Sequence, residues 1–187
     1  MISPPLVNRW WRGARIPRPG FSMASVSLTA SNFWTPVHEA GHAVISRVLG
    51  LVSGSVTIQP NVAEGEAGHA ITFDRWQTID AWEERGKYRD ISSAVRAQII
   101  AVMAGAEAEF IILGRTATGD SDDRYHIALM ADSSDSGFTP ATWAVYEPRL
   151  RRQAQRLVRK HRNRIQRVAN ALVERETLQA TEVDVLV

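Results

Sequence analysis

The chain has 187 residues, 22 Lys/Arg against 20 Asp/Glu, a formal net charge of +2 and no cysteine. That is the size of one domain, large enough to bury a core without cross-links. The missing cysteines exclude a disulfide scaffold, a Cys-ligated zinc or iron–sulfur site and a thiol nucleophile. With no thiols, little titrates between histidine and tyrosine or lysine, so a small basic excess lifts the pI to 9.4 and that value says little about partners. No run reaches the roughly 18 apolar residues of a spanning helix. The best stretch, residues 97–114, is cut by Glu107 and Glu109. The expectation is a cytoplasmic protein with no membrane segment.

Residues 1–30 hold four prolines, four arginines, the pair Trp10-Trp11 and no acidic residue. They lack the apolar stretch of a secretory signal, and their prolines oppose the amphipathic helix of a transit peptide. A disordered N-terminal segment is expected, with Met23 an alternative translation start and order beginning near Ser31. A helix is predicted over residues 36–49, with Thr35 as cap, Pro36 in the first position and Gly50 just past the end. Residues 55–59 and 68–73 read as strands that can pair as a hairpin. Residues 78–87 read as a short helix or loop. Ser92 or Ser93 can cap a long, largely apolar and central helix ending at Gly114. A loop over 115–121 leads to a helix over about 122–131, and residues 132–139 form another loop. Thr139-Pro140 starts the next helix, which Pro148 breaks or restarts. Leu150, Ala154, Leu157, His161, Ile165, Val168 and Leu172 then mark one continuous amphipathic stripe. Thr181 caps a last short turn. The fold class is mainly α with a small β-sheet or hairpin (α+β), in one domain over 31–187.

The stretch that carries chemistry is His38-Glu39-Ala40-Gly41-His42. Positions i and i+4 of a helix share a face, so His38 and His42 can turn imidazole nitrogens towards one ion. Glu39 is then placed to act on a water at the open coordination position. This is the arrangement of metal-assisted hydrolysis, in which the ion acidifies a water and polarises a carbonyl while the glutamate moves the proton. A third protein ligand is needed. The acidic candidates downstream are Glu107 and Glu109 in the long apolar helix, and Asp120, Asp122 and Asp123 at a loop–helix junction. Of these, Glu109 stands out because a carboxylate in an apolar helix needs a partner.

Four blocks, in order, resemble the peptidase domain of the FtsH family of AAA+ zinc metalloproteases. They are His-Glu-Ala-Gly-His-Ala at 38–43, Val-Thr-Ile-Gln-Pro at 56–60, Gly105 to Glu109 followed by Thr-Gly-Asp-Ser-Asp-Asp at 118–123, and Ala-Leu-Val-Glu-Arg-Glu-Thr-Leu at 171–178. The resemblance spans about residues 31–187. It implies the family's peptidase fold with a zincin-type helix, one Zn2+ per chain on His38, His42 and Asp123, Glu39 as general base, and Glu109 as a support behind the ligands. The chain departs from the family pattern at Ala106, Glu107, Asp120 and Asp122, and the added acids could make the cleft more negative. The family's ATPase phosphate loop and membrane anchor have no counterpart here. The expected activity is therefore zinc endopeptidase action on peptides or unfolded proteins, without an ATPase module of its own. A separate ATPase partner and a homo-oligomer stay open.

Two readings compete. One is a non-catalytic binding protein that keeps the fold. The other is a nucleic-acid binder using residues 149–167, which hold nine Lys/Arg and no Asp/Glu; a solvated face or subunit contact is the preferred reading of that run. His69 and His126 are read as exposed, His161 as packed at the edge of the apolar stripe, and the six tryptophans as core or interface.

Overall fold

The computed structural model describes residues 34–60, 69–70, 74–115 and 121–187. The expectations for the N-terminal segment, for the outer parts of the second strand and for the loop before Asp122 lie outside them. Among the described residues there are seven α-helices, one 3-10 turn and a small antiparallel sheet. In chain order these are α1 (Trp34–Leu49), β1 (Val56–Thr57), β2 (His69–Ala70), α2 (Arg75–Glu84), α3 (Ile91–Leu113), α4 (Ser121–Asp132), the 3-10 turn (Ser134–Ser136), α5 (Pro140–Lys160), α6 (Arg162–Arg175), β3 (Thr177–Leu178) and α7 (Ala180–Leu186). None of the helices is long and apolar enough to cross a membrane.

Two helices organise the rest. α1 is buried from Pro36 to Ser46 apart from His38, and α3 is buried on most of its faces from Ala94 to Glu109. They cross closely because the contact is made by small residues. A Cβ on Gly41 would stand 2.7 Å from the Ala104 carbonyl oxygen and 2.9 Å from the Ala108 Cβ. Val37, Val44, Ile45, Val95, Ile99 and Met103 close round this crossing. Leu150, Ala154 and Val158 of α5 and Ile165, Val168 and Leu172 of α6 complete the core. Trp82 of α2 roofs a smaller cluster with Leu51, Ala94, Ala97 and Ala101.

Several boundaries differ from the sequence expectations, each for a local reason. α1 starts at Trp34, so Thr35 and Pro36 lie in its first turn, where a proline needs no partner for a missing N–H. α2 starts three residues before the expected segment because the Asp74 carboxylate accepts from the Trp76 and Gln77 amides. Asp90, not Ser92 or Ser93, caps α3 by accepting from the Ser93 amide. Gly114 ends α3 with φ of 81°, as expected of a left-handed cap. Pro148 does not break α5, which runs on to Lys160. Pro148 and Ala144 are both exposed, so the carbonyl that loses its N–H partner there stands at the solvent side. The break falls instead at His161, whose φ of −107° and ψ of 17° end α5 and begin α6. The single stripe read from the sequence is thus two helices. Gln179, whose N–H donates to the Glu182 carboxylate at 2.8 Å, starts α7 in place of Thr181.

The hairpin expectation holds at its centre, where Val56 pairs with Ala70 and Thr57 with His69. A third strand was not anticipated. Glu176 takes a positive φ of 60° after α6 and delivers Thr177–Leu178 to the other edge of β1, giving the order β2-β1-β3. Val56 and Leu178 are buried in the core. Of the described tryptophans, Trp82 and Trp143 are buried as expected, whereas Trp76 is two-thirds exposed.

The α1–α3 crossing gives a stability prediction. Gly41→Ala forces a methyl group against backbone, and overpacking of this kind costs about 1–3 kcal/mol. A lowered denaturant midpoint with unchanged slope is the expected result. A variant as stable as the parent would show that the crossing is looser than described.

Candidate metal centre

His38 and His42 lie one turn apart on α1, and their rings meet edge to face with centroids 4.5 Å apart. α3 runs past α1 in the opposite sense, so His42 meets its earlier part and His38 its later part. The His42 Nδ1–H donates to the Ala101 carbonyl at 2.9 Å. The His38 Nδ1–H donates to Glu109 Oε1 at 2.7 Å. With both Nδ1 atoms committed as donors, both Nε2 atoms carry free lone pairs. Both face the same oxygen, Asp123 Oδ2 in the first turn of α4, at 3.0 Å from His38 and 3.4 Å from His42. The three candidate ligand atoms lie within 4.8 Å of one another.

Space for this convergence comes from α3. A Cβ on Gly105 would stand 2.4 Å from His42 Cε1, 2.5 Å from His42 Nε2 and 2.8 Å from His38 Nε2. Only glycine lets both imidazoles point here. Asp123 Oδ2 is buried, and neither imidazole donates to it unless its Nε2 carries a proton. Two imidazole lone pairs and a carboxylate oxygen thus crowd one enclosed spot. That is unfavourable unless a positive charge sits among them.

The electrostatics measure the same demand. Burial works against protonating His38, yet the hydrogen-bonding carboxylates of Asp123 and Glu109, with Glu39 behind them, push its pKa up to about 10. Burial works against protonating His42 too, and the His38 charge adds to that, but Asp123 and Glu39 together leave its pKa raised. Burial opposes ionising Asp123, but the two histidines hold its carboxyl far below the usual range. Without a metal, protons must supply the cation. The three side chains could also hold a metal ion, and an N2O donor set is one that suits a divalent transition-series ion.

The other sequence candidates sort clearly. Glu39 is 7% exposed, and its charge is felt by both histidines. Glu109 backs His38, as a support should. Glu107 does not face the centre: it receives Arg151 of α5 at 3.1 Å, and Arg151 also holds Glu147 at 2.9 Å. The added acid at 107 is therefore a tie between α3 and α5, and the expectation that it could make the cleft more negative fails there. Asp122 is exposed, and Asp120 lies outside the described residues. His126 is exposed and His161 half-buried, as read, while the His69 side chain lies outside the described residues. The reading of the sequence gave no role to Gly105 or to the Ala101 carbonyl. A glycine inside a helix costs about 0.5–1 kcal/mol against alanine, so Gly105 within an apolar helix was a usable signal of close approach. The carbonyl had no signal at all.

No model of a known protein family matches the chain, and no curated protein matches it either.

Two predictions follow from this geometry. Gly105→Ala should leave the helical circular dichroism nearly unchanged but abolish stoichiometric metal binding, because the methyl group occupies the place where the ligand atoms meet. Full metal content in that variant would contradict the assignment. The second concerns pH. Metal and protons compete for the two Nε2 atoms, and raised histidine pKa values hold the protons more tightly. Metal affinity should therefore climb with pH across the neutral range, by about tenfold per pH unit for each proton displaced. Titration calorimetry in buffers of different ionisation enthalpy would count those protons, and a pH-independent affinity with no proton release would contradict it.

Proposed function

We propose that the chain is a zinc metalloendopeptidase of the kind found in the FtsH peptidase domain, acting on peptides or already unfolded proteins. The observation that carries this reading is the convergence of His38 Nε2, His42 Nε2 and Asp123 Oδ2 beside a buried Glu39. These three side chains would hold one zinc ion, with a coordination position left for water or substrate. Zinc supplies a Lewis acid that polarises the scissile carbonyl and a water acidic enough to ionise near neutral pH.

The chain's own residues do the rest. Glu109 and the Ala101 carbonyl fix the imidazole tautomers, so each Nε2 keeps its lone pair for the ion. The Glu39 carboxylate takes a proton from the attacking water and returns it to the leaving amine nitrogen. An extended substrate fits such a site, whereas a stably folded protein keeps its backbone hydrogen-bonded internally. No Gly-x-x-x-x-Gly-Lys-Ser/Thr phosphate loop occurs in the 187 residues. Nothing within these residues would unfold a substrate, and an ATPase would be one supplier of unfolded chains.

The test separates binding from chemistry. Glu39→Gln should keep zinc while hydrolysis of unfolded casein falls by about 100- to 10,000-fold. Asp123→Ala should lose the metal and the activity together, and a chelator should stop the parent. ATP should make no difference. Unchanged turnover in zinc-replete Glu39→Gln would remove the glutamate from the mechanism. A zinc-loaded parent inert towards a broad peptide library would leave a binding protein on a peptidase fold.

A further inference from the structure

The outer face of α5 is a row of cations. Arg149, Arg152, Arg156, Arg159 and Lys160 are all exposed. At 3.6 residues per turn they fall within about 100° of helix surface and span about 16 Å. Leu150, Ala154 and Val158 are buried on the opposite side. Arg149 rests on the Tyr146 ring at 5.5 Å. Among the described residues, the side chains of Arg152, Arg156, Arg159, Lys160 and Arg162 have no ion-pair partner. This is not for want of acids nearby in the fold, since Arg151 on another face of the same helix holds both Glu107 and Glu147. No Asp or Glu occurs from residue 148 to residue 173. Like charges three and four residues apart destabilise a helix, and an interspersed glutamate would relieve them. An uninterrupted row is therefore unfavourable for the chain by itself.

One end of the row opens on a groove. Phe110 and Ile111 of α3, with Arg159 and Arg162 from either side of the α5–α6 joint, line a cavity of about 440 Å³. Phe110 is 53% exposed, an aromatic side chain on the same lining as the two arginines.

We propose that this face docks single-stranded nucleic acid, with phosphates along Arg149, Arg152, Arg156 and Arg159 and a base stacked on Phe110. The row is four arginines to one lysine, and the planar guanidinium matches phosphate oxygens in pairs. A positively charged track with an aromatic platform is the arrangement that holds single strands without reading their sequence. A lipid surface suits it less, because residues 149–160 expose no large apolar side chain and an exposed Phe110 at the end of the row is not the apolar helix face that enters an acyl boundary. An acidic protein would find the charges but has no need of the ring. The inference stands apart from the metal centre.

The full chain can be tested by fluorescence anisotropy with labelled single-stranded and duplex oligonucleotides of about 15 nucleotides, beginning near 50 mM salt. Binding should weaken steeply with salt. Replacing Arg152, Arg156 and Arg159 together by Gln should reduce the slope of log K against log salt by about 2, at about 0.7 per phosphate contact. Phe110→Ala should weaken the single strand at least about fivefold and leave the duplex almost unchanged. Unaltered circular dichroism and metal content would show that both variants fold. Absence of binding at low salt would overturn the proposal, as would binding that neither variant changes. Tighter association with polyglutamate or with phosphatidylserine vesicles would overturn it in favour of an acidic protein or a membrane.

Discussion

Three electron-rich atoms forced into one buried space are the constraint on which the structure turns. His38, His42 and Asp123 come from two helices separated by more than seventy residues of chain, and they meet with their lone pairs facing inward. The two imidazoles are held there by groups that cannot easily yield. The imidazoles are fixed by a carboxylate and a backbone carbonyl of α3, and the floor beneath them is a glycine. The imidazoles sit over the crossing of α1 and α3, and that crossing is the centre of the core. The fold thus applies its packing energy to hold a site that repels itself until a cation arrives.

The same crossing explains why small residues gather where they do. Gly41 lets α1 approach the backbone of α3, and Gly105 lets the histidines lean over it. The first glycine sets the distance between the helices and the second sets the room for the ligands. Larger side chains at either place would improve helix propensity and spoil the centre. Other charges are arranged so as not to interfere. Glu107 turns to α5 and is neutralised by Arg151, which leaves the negative charge of the centre to Asp123, Glu39 and Glu109.

Much of this was legible in the sequence because helical spacing carries it. His38 and His42 four apart place themselves on one face, and Glu39 follows from adjacency. Gly50 and Gly114 mark helix ends that the structure keeps. Asp123 was only one of five acids by residue type, and its choice rested on a family resemblance. It is the one that geometry brings to the two histidines. What escaped was decided by tertiary contacts. The strand Thr177–Leu178 is two residues long and exists because β1 is there to pair with it. Pro148 stays within a helix because its side of α5 is open to water. Asp90 took the place of the expected Ser92 or Ser93 cap, since several polar side chains competed for that helix start, and Asp74 began α2 three residues early. The Ala101 carbonyl could not be foreseen, because every residue carries one.

The central claim is that the enclosed space holds a metal on these three side chains. X-ray absorption at the zinc edge of the purified, zinc-loaded chain tests it most directly. The account predicts four-coordinate zinc with two imidazole nitrogens at about 2.0–2.1 Å and oxygen neighbours at about 2.0–2.2 Å. A chain that binds no zinc, or a zinc environment without imidazole scattering, would contradict it.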